Sequence, residues 1–398
     1  MELLIKNARI VDSSQDFTSD VYINGGIICE IGKKLKKDCE VLDGEGYILA
    51  PSFVDLHSHF REPGYTYKED LLSGSKAALR GGYTAINLMA NTKPVCSSMD
   101  TINMVLKKAR EINLVDIHQC ASITEDLLGQ SIDHLEKLTN EVKFISDDGR
   151  GVSSSLVMLN AMVMANEKNL TIISHAENEE LVDIDTRLAE NLMTIRDITL
   201  SKFTGCKLHL AHVSTKEAMN DIIVAKQQGA RITCEVTPHH LALTSETQYR
   251  VNPPLRETED VTFLIEAIKD GFVDVIATDH APHSMEDKTK GAPGISGLET
   301  SFAVCFTKLI GEGHITLNKL SELMSKNPAK IMGLNKGEIK IGFDGDLLLL
   351  DTKTKYNIDA REFLSKGTNS PFDGKSVMGT VMCTIKAGKI VYKAKAFK

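Results

Sequence analysis

Residues 53–64 read FVDLHSHFREPG, and two histidines, His57 and His59, stand one residue apart where the apolar run ends. A short apolar run that ends in polar residues is typical of a strand buried on both faces of a parallel sheet. Residues two apart on a strand point to the same side, so both imidazoles can reach one ion. This stretch predicts a buried strand with a pair of metal-type ligands at its carboxyl end.

Seven more apolar runs follow at intervals of roughly 25–40 residues, the length of one strand–loop–helix–loop unit. They are YTAINLM (83–89), VDIHQCASI (115–123), VKFISDD (142–148), TIISHAE (171–177), KLHLAHV (207–213), RITCEVT (231–237) and VDVIATDH (273–280). Helix-like segments such as 100–111, 156–168 and 215–228 lie between the runs, and glycines at 82 and 229 stand where helices should stop. Eight such units predict an α/β fold, a closed (β/α)8 barrel of the TIM type.

The two ends of the chain have a different pattern, in which short strand-like pieces alternate with turns. Residues 1–50 and residues 338–398 both show it, and neither end is large enough for a secure core of its own. We therefore predict that both ends pair into one small β-sandwich beside a catalytic barrel of residues 51–337. The less regular segment 357–375 is expected to pack across the join.

Composition excludes several classes of protein. The net charge of −8 comes without a stripe of lysine and arginine, so we expect no nucleic-acid partner. No apolar run approaches the roughly 18 residues of a membrane span, and the N-terminus lacks the apolar segment of a secretion signal. The eight cysteines are scattered without a C-x-x-C pair, which is typical of reduced thiols. We expect a cytoplasmic protein with no membrane association.

Metal-type residues recur at the carboxyl ends of the predicted strands, where a barrel would gather them at one mouth. They are His57, His59, one of the adjacent pair Asp147 and Asp148, His175, His212 and Asp279. Nitrogen and carboxylate oxygen together suit Zn²⁺ or a similar divalent ion. Six ligands exceed the needs of one catalytic zinc, so we predict two ions bridged by a carboxylate and a hydroxide, with the hydroxide as nucleophile.

Other histidines do not share this position. His118, His134 and His314 lie inside a run or in helical and loop segments, and we predict structural or surface roles for them. His209 stands three residues before His212 and is expected to face the opposite side of its strand. By the same argument Lys143, five residues before Asp148, is predicted not to be a ligand.

Several motifs resemble the signatures of the type I bacterial dihydroorotases within the amidohydrolase superfamily. They are HSHFREPG (57–64), MANT (89–92), SDDG (146–149), HVSTKEA (212–218), EVTPHHL (235–241), NPPLR (252–256) and ATDHAPH (277–283). The resemblance covers essentially the whole chain in order. It implies the zinc-dependent, reversible cyclisation of N-carbamoyl-L-aspartate to L-dihydroorotate in pyrimidine biosynthesis, with this small molecule as the substrate.

The resemblance also implies roles for individual residues. His57 and His59 look like ligands of a first zinc, joined by Asp279, and His175 and His212 look like ligands of a second. Asp148 matches a bridging carboxylate, whereas Asp147 is expected to support its loop. Asp279 is also expected to shuttle a proton. The positions that match substrate contacts are Arg61, Asn91, Asn252, His283, Pro293 and Gly294.

Physical chemistry supports these roles and leaves alternatives. Arg61 offers a planar fork for the substrate carboxylate, with Asn91 and His283 as further donors, although Arg61 has Glu62 beside it for a salt bridge. Asn252 in an Asn-Pro-Pro turn also suits a purely structural role. The segment 284–293, SMEDKTKGAP, suits either a lid or a solvated loop.

Three features depart from the family pattern. Ala90 stands where the family usually has proline, and Pro293 stands where it more often has phenylalanine. The stretch between His175 and Lys207 is shorter than expected, and it is a candidate for subunit contacts.

Two other functions compete with dihydroorotase. One is a related cyclic amidase, a dihydropyrimidinase or an allantoinase, but those families use a carboxylated lysine and lack the FREPG and NPPLR pair. The other is a non-catalytic scaffold subunit for aspartate transcarbamoylase, but all six ligand positions are filled here. A homodimer is expected, and association with a transcarbamoylase is a further possibility.

Overall fold

Residues 2–51 form five short strands in the computed structural model, which describes residues 2–397 of the chain. They are β1 (Glu2–Val11), β2 (Asp16–Asn24), β3 (Ile27–Gly32), β4 (Glu40–Asp43) and β5 (Ile48–Pro51). Strand β1 pairs antiparallel with β2 and parallel with both β4 and β5. The β2–β3 hairpin turns through Gly25 and Gly26, whose φ angles of 60° and 86° favour glycine.

Eight parallel strands lie at the positions of the eight apolar runs. They are β6 (Phe53–Ser58), β7 (Tyr83–Leu88), β8 (Asp116–Gln119), β9 (Phe144–Ile145), β10 (Thr171–Ser174), β11 (Lys207–Leu210), β12 (Ile232–Val236) and β13 (Val275–Ile276). Strands β6–β8 form one sheet and β9–β13 another. Single parallel bridges, Ser58 to His280 and Ala121 to Ile145, join the two sheets at both seams. The predicted ring of eight strands is therefore present, with all carboxyl ends on one side.

Helices surround this ring. They are α1 (Leu71–Gly81), α2 (Met99–Ile112), α3 (Ser155–Glu167), α4 (Thr186–Thr204), α5 (Lys216–Gln227), α6 (Pro238–Ala242), α7 (Thr258–Lys269), α8 (Met285–Thr289), α9 (Ser301–Cys305), α10 (Leu317–Ser321) and α11 (Asn327–Met332). The ends of α1 show local control by sequence, because Asp70 accepts a hydrogen bond from Ser73 N at 2.8 Å and Gly82 leaves the helix at φ 89°. None of the helices within residues 2–397 is long and apolar enough to cross a membrane.

The third strand–helix unit differs from the prediction of eight similar units. Two 3₁₀ helices, Glu125–Leu127 and Asp133–Lys137, stand between β8 and β9 in place of an α-helix. Gly129, between them, has a φ of 71°, and Asp126 and Leu127 also lie in the left-handed region. An α-helix cannot continue through such residues, so the segment turns instead.

The last strands return to the first ones. They are β14 (Leu347–Asn357), β15 (Ser376–Lys386) and β16 (Lys389–Lys393). Because β14 pairs antiparallel with β5, both chain ends form one eight-stranded sheet in the order β16-β15-β14-β5-β1-β2-β3, with β4 beside β1. The predicted pairing of the two chain ends is confirmed.

Strand β14 connects the two cores of the molecule by alternation of its side chains. Leu348 and Leu350 lie in the large cluster that fills the barrel and its helices, whereas Leu347 and Leu349 lie in the cluster of the terminal sheet. All four are at most 1% exposed. Successive side chains of a strand point to opposite faces, so a run of four leucines buries both faces of β14.

Lys336 also links the terminal sheet to the barrel. Its Nζ lies 2.6 Å from Asp346 Oδ2, just before β14, and 2.8 Å from Asp116 Oδ2, at the start of β8. Burial acts to lower the pKa of this lysine, but the two carboxylates outweigh burial and raise it. Lys336 is therefore a charged group in a place where only 5% of the residue is exposed.

We predict that Lys336→Met lowers the free energy of unfolding by about 3 kcal/mol, because it leaves the buried Asp346 carboxylate without its cation. Denaturant titration measures this change. Lys340→Met is the matched control, since Lys340 is exposed, and it should change stability by about 0.5 kcal/mol or less. Equal losses in the two variants would contradict the role of Lys336.

Candidate metal centre and active site

The carboxylate of Asp148 lies at the centre of the barrel mouth. Its oxygens approach one ring nitrogen in each of four imidazoles. The distances are 3.2 Å to His57 Nε2, 3.4 Å to His59 Nε2, 3.4 Å to His175 Nδ1 and 3.6 Å to His212 Nε2. These residues follow four different strands, and the structure brings them into one cluster.

Asp279, after β13, completes the cluster. Its Oδ1 lies 3.2 Å from His59 Nε2 and 3.6 Å from His57 Nε2. All six predicted ligand residues are at most 6% exposed. Two sets of three donors have their ligand atoms within 4.8 Å of one another: His57, His59 and Asp279; and His57, Asp148 and His212. The donor set and its spacing suit divalent cations that accept nitrogen and carboxylate oxygen.

The environment of His57 tests whether a cation fits. Its Nδ1 lies 2.7 Å from Glu235 Oε1, which assigns the ring proton to Nδ1. Its Nε2 points toward Asp148 and Asp279, and within residues 2–397 this buried atom has no hydrogen-bond partner. A buried ring nitrogen that faces two carboxylates calls for a positive charge between them, which is a proton on His57 in the metal-free protein and would be a metal ion in its place, so these residues fit a bound metal ion.

Glu235 is the residue that the sequence analysis missed. It is fully buried, and it contacts His57 through Oε1 and His209 Nε2 through Oε2 at 3.0 Å. Burial acts to raise the pKa of this carboxyl, but the charge of His57 and its hydrogen bonds to both imidazoles lower it to about 2. Glu235 is therefore an anion that orients His57. A glutamate at the end of a buried apolar run, in EVTPHHL, was the available signal.

The orientation of His209 differs from the prediction that it faces the side opposite to His212. Its side chain does not point away from the site, since it reaches the same carboxylate as His57. His212 is also near Glu235, with its backbone N–H donating to Oε1 at 3.2 Å. The strand β11 ends at Leu210, so the alternation of sides does not extend to His212.

Positive φ angles occur where the chain leaves three strands. Arg61, His212 and Asp279 have φ values of 56°, 34° and 45°. This region costs a residue other than glycine on the order of 1–3 kcal/mol, and such residues cluster at functional sites. The strained turns aim the three side chains across the mouth, where a regular continuation of each strand would direct them elsewhere.

Asp148 keeps its negative charge in this setting. Burial acts to raise the pKa of its carboxyl, but the charge of His57 and hydrogen bonds from the surrounding imidazoles outweigh burial and hold the pKa below its ordinary value. His175 has the complementary shift, because Asp148 and Glu177 outweigh burial and raise its pKa to about 10. In the metal-free protein, opposite charges therefore hold the cluster together.

A cavity of about 170 Å³ opens beside this cluster. Five of the six predicted ligand residues line it, and so do all six predicted substrate contacts: Arg61, Asn91, Asn252, His283, Pro293 and Gly294. The structure therefore brings the predicted contacts and the predicted ligands to one small space.

Arg61 lies on the side of the cavity occupied by His283. Its Nε donates to Pro282 O at 3.3 Å, and one terminal nitrogen lies 3.3 Å from His283 Nε2. The salt bridge with Glu62 that the sequence left open is not formed, since Glu62 contacts Lys108 and the N-terminus of α1. The guanidinium therefore has no carboxylate within ion-pair distance among residues 2–397.

Lys68 adds a second cation that the sequence analysis did not consider. Its Nζ lies 3.3 Å from His283 Nδ1. Burial and the charges of Arg61 and Lys68 lower the pKa of His283 to about 3, so this imidazole is neutral. An anion in the cavity would meet Arg61 directly, with His283 beside it and Lys68 behind.

Asn91 contacts two of the predicted ligand residues, whereas Gly294 forms a tightly packed part of the cavity wall. The side chain of Asn91 contacts His59 Nδ1 through Oδ1 at 2.9 Å and donates to Asp148 through Nδ2, so it holds two of the predicted ligand residues. Gly294 has a φ of 133°, and a Cβ there would lie 2.7 Å from Ala281 O. Only glycine fits at that wall of the cavity.

Two residues outside the cavity have contacts that agree with their predictions, a supporting role for Asp147 and no ligand role for Lys143. Asp147 accepts hydrogen bonds from Ile123 N at 2.7 Å and from Thr124. These bonds tie the residue before the predicted ligand Asp148 to the loop that follows β8. Lys143 donates to Met332 O at 2.6 Å, away from the mouth.

The segment 284–293 is a folded loop around α8. Ser284 caps the helix, and Lys288 Nζ lies 2.7–3.1 Å from three backbone carbonyls, those of Arg250, Ala292 and Gly294. The charged segment is therefore tied to the rim of the cavity.

Known proteins resemble this chain over almost its whole length. Residues 48–391 match the sequence pattern of the amidohydrolase family. A dihydroorotase from Clostridium botulinum is 57% identical over 397 residues, covering 99% of this chain and 100% of the relative. A dihydroorotase from Geobacter metallireducens is 39% identical over 424 residues, covering 99% and 100%.

Solved structures of related enzymes have the same architecture. The L-hydantoinase (dihydropyrimidinase) from Arthrobacter aurescens superposes with a TM-score of 0.92 at 26% identity, covering 98% of this chain and 96% of that one. A dihydropyrimidinase from Brevibacillus agri NCHU1002 gives 0.88 at 25% identity, covering 100% and 96%. The predicted fold class, a (β/α)8 barrel with a small β-sandwich from both chain ends, is confirmed.

We predict that Glu235→Gln weakens metal retention by about 10–100-fold, because His57 loses the anion that fixes its tautomer and direction. Metal per chain after dialysis against a graded chelator measures this change. Glu190→Gln is a matched control, since Glu190 is also buried but accepts from Ser214 and Arg256, outside the cluster. Unchanged retention in Glu235→Gln would refute the orienting role.

Proposed function

The chain belongs to the amidohydrolase family, and we propose that its barrel mouth catalyses the reversible hydrolysis of L-dihydroorotate to N-carbamoyl-L-aspartate. The observation that carries this proposal is one small cavity that joins a cluster of metal-type ligands to the guanidinium of Arg61. The full-length relatives named dihydroorotase support the same reaction. The chain is a cyclic amide hydrolase, and this reaction belongs to pyrimidine biosynthesis.

The metal centre proposed for this reaction holds two Zn²⁺ ions per chain. His57, His59 and Asp279 would hold one, His175 and His212 the other, and Asp148 would bridge them, since its carboxylate reaches all four imidazoles. When bound, the pair supplies Lewis acidity for the amide carbonyl and a water acidified to act as nucleophile near neutral pH.

Asp279 is the proposed proton carrier. Its carboxylate lines the cavity and also lies beside His59 and His57, so it faces both the ligands and the substrate space. Burial acts to raise the pKa of this carboxyl, but the imidazoles outweigh burial and hold it below its ordinary value. As an anion, Asp279 can accept a proton from the attacking water and deliver it to the leaving ring nitrogen.

The reverse direction imposes the opposite requirement. Ring closure of N-carbamoyl-L-aspartate removes one carboxylate charge and consumes a proton, and Asp279 must start this direction protonated. Lower pH should therefore favour cyclisation and higher pH hydrolysis. Because the pKa of Asp279 lies below its ordinary value, its protonated form is a minor population at neutral pH.

The pocket around Arg61 is proposed to bind the substrate carboxylate. A bidentate guanidinium–carboxylate pair is both strong and directional, and Arg61 contacts only Pro282 O and His283 Nε2, with no carboxylate partner among residues 2–397. His283 and Asn91 are proposed as neutral neighbours of the substrate, with Asn252, Pro293 and Gly294 as the wall. Lys68 adds positive potential from behind His283.

A dihydropyrimidinase or an allantoinase is the competing function, because the solved structures with the same fold include dihydropyrimidinases. Their ring substrates carry no carboxylate at the position of dihydroorotate's, so the half-buried guanidinium of Arg61 would have no anionic partner in the cavity. Lys143 also points away from the cluster, toward Met332 O. Both observations favour dihydroorotate.

We predict that the enzyme hydrolyses dihydroorotate in preference to hydantoin and allantoin, and that Arg61→Met removes this preference. Loss of a buried charged pair should raise KM for dihydroorotate about 100-fold or more. Steady-state assays with the three substrates measure it, with Arg150→Met, at an exposed arginine, as the control. Preferred turnover of hydantoin or allantoin by the unmodified enzyme would overturn the proposed function.

We propose a homodimer, and an exposed apolar face supports it. Seven large apolar side chains on α3, α4 and the segment before α4 are 42–79% exposed: Leu156, Val163, Ile184, Leu188, Leu192, Ile195 and Phe203. They offer an area on the order of 700 Å², if one fully exposed side chain offers roughly 150–200 Å². A stable interface takes about 800 Å² from each partner.

Charge at the two ends of α4 favours a second copy as the occupant. Glu179, Glu180 and Asp183 precede the helix, whereas Lys168 and Lys202 lie at its other end. An antiparallel two-fold arrangement would put the acidic end of one α4 near the basic end of its partner. A membrane surface fits less well, because anionic lipids would repel the acidic end.

We predict that Leu192→Glu converts a dimer into a monomer, because it puts a charge at the centre of the apolar face. Sedimentation velocity of the metal-loaded enzyme measures this. Ile341→Glu is the control, since Ile341 is 59% exposed in the turn before β14, away from α3 and α4, and should leave the dimer intact. A monomeric parent, or a Leu192→Glu variant that still dimerises, would contradict the proposal.

Two further proposals concern the location of the protein in the cell and its partners. A cytoplasmic location is proposed, because all eight cysteines are free and the substrate is an intermediate of biosynthesis. Association with aspartate transcarbamoylase is compatible with an active enzyme, whereas a purely scaffolding role would leave the complete set of six ligand residues without a purpose. Co-sedimentation with a transcarbamoylase distinguishes association from its absence.

A further inference from the structure

A short piece of the C-terminal segment reaches the active-site loops. We call residues 365–369 the strap. At its start, Ser365 Oγ donates to the buried carboxylate of Glu69, and Lys366 N donates to the same group at 3.3 Å. Glu69 lies in the loop between β6 and α1, and its Oε2 is also 3.4 Å from His280 Nε2. One end of the strap is thus fixed to the first barrel loop.

Asn369 fixes the other end to the last barrel loop. Its Oδ1 accepts from His283 N at 3.0 Å and from Ser296 Oγ at 2.9 Å. Its Nδ2 donates to Gly294 O at 3.0 Å. Asn369 O also accepts from Ser296 N at 2.9 Å. A single carboxamide therefore joins the beginning and the end of the segment 283–294, which carries three residues of the cavity wall, His283, Pro293 and Gly294.

The fit of the strap against this loop is close. Asn369 is 3% exposed. A Cβ on Gly367 would lie 2.6 Å from Ser296 Oγ and 2.7 Å from both Asn369 Oδ1 and Pro282 Cβ. Only glycine allows the strap to approach the loop so closely, and nothing in the proposed chemistry uses Asn369 itself, which does not line the cavity.

We propose that Asn369 is a positioning residue for substrate binding, which holds His283 and Gly294 in the cavity wall through their backbone groups. This rests on the proposed function, in which both residues contact the substrate. Asn369 accepts one hydrogen bond from His283 N and donates one to Gly294 O. Both groups belong to the loop that runs from β13 to α9 beside the cavity. Through it, the C-terminal segment acts on the binding site from outside the barrel.

The effect should fall on binding and leave the chemical step largely intact. Asp279 and the ligand residues precede the loop and are held by other contacts, so Asn369→Ala should raise KM for dihydroorotate about tenfold. The kcat should stay within about threefold, and metal per chain should not change. His283→Ala should raise KM by a similar or larger factor.

The test combines these variants in a double-mutant cycle. If Asn369 acts through His283, adding Asn369→Ala to His283→Ala raises KM by much less than it does in the unmodified enzyme. Asn318→Ala is the matched control, because Asn318 also donates two side-chain hydrogen bonds, to Asp12 O and Gln15 O at the join of sheet and barrel. It should lower the melting temperature with KM unchanged.

Different results overturn different statements. If His283→Ala raises KM and Asn369→Ala does not, the positioning role is wrong and the proposed function stands. If His283→Ala leaves KM unchanged, His283 is not a substrate contact, and the action of Asn369 through it is wrong as well. If Asn369→Ala does not fold, Asn369→Asp decides, since it replaces the donor to Gly294 O by an oxygen that repels this carbonyl: a raised KM with kcat retained supports the proposal, and an unchanged KM overturns it.

Discussion

The structure depends on one electrostatic constraint, the meeting of the Asp148 carboxylate with four imidazoles within 3.6 Å. No short segment can bring these groups together, because they follow four different strands. Only closure of the barrel does so, and closure uses single bridges at the two seams between its sheets. The buried negative charge at the mouth needs positive charge or hydrogen-bond donors around it, which the imidazoles supply, and Glu235 orients one of them, His57.

The remainder of the fold holds this centre from three directions. The apolar strands of the ring support it from below, and the strained turns at His212 and Asp279 aim side chains inward. The terminal sheet is attached through the two-sided strand β14 and the buried Lys336. The strap connects that C-terminal part to the loops of the mouth, so the terminal part of the chain also contributes to the shape of the cavity.

Periodicity and strand-end chemistry predict the parts of the molecule that repeat. Eight apolar runs gave eight strands, and the polar residues that end them are the ones that gather at the mouth. Local order is enough for such features, because each strand and its terminal residue are adjacent in sequence. The motif resemblance added the six residues that line the cavity beside them.

What the sequence did not predict depends on contacts between distant segments. Glu235 is recognisable as an orienting residue only once His57 is seen against it, and the prediction that His209 and His212 face opposite sides fails because β11 ends at Leu210, before His212. Asn369 is one of two asparagines in the irregular segment 357–375, and its role follows only from its contacts with both ends of the 283–294 loop. The third unit lacks an α-helix where Asp126, Leu127 and Gly129 have left-handed φ angles, which the hydrophobic periodicity of the sequence does not reveal.

Anomalous diffraction at the zinc edge from zinc-loaded crystals is the most direct test of the central claim. The account predicts two peaks about 3.5–4 Å apart on either side of Asp148, one beside His57, His59 and Asp279 and the other beside His175 and His212. Peaks outside this cluster, or a zinc-loaded crystal in which the four imidazoles coordinate nothing, would contradict it.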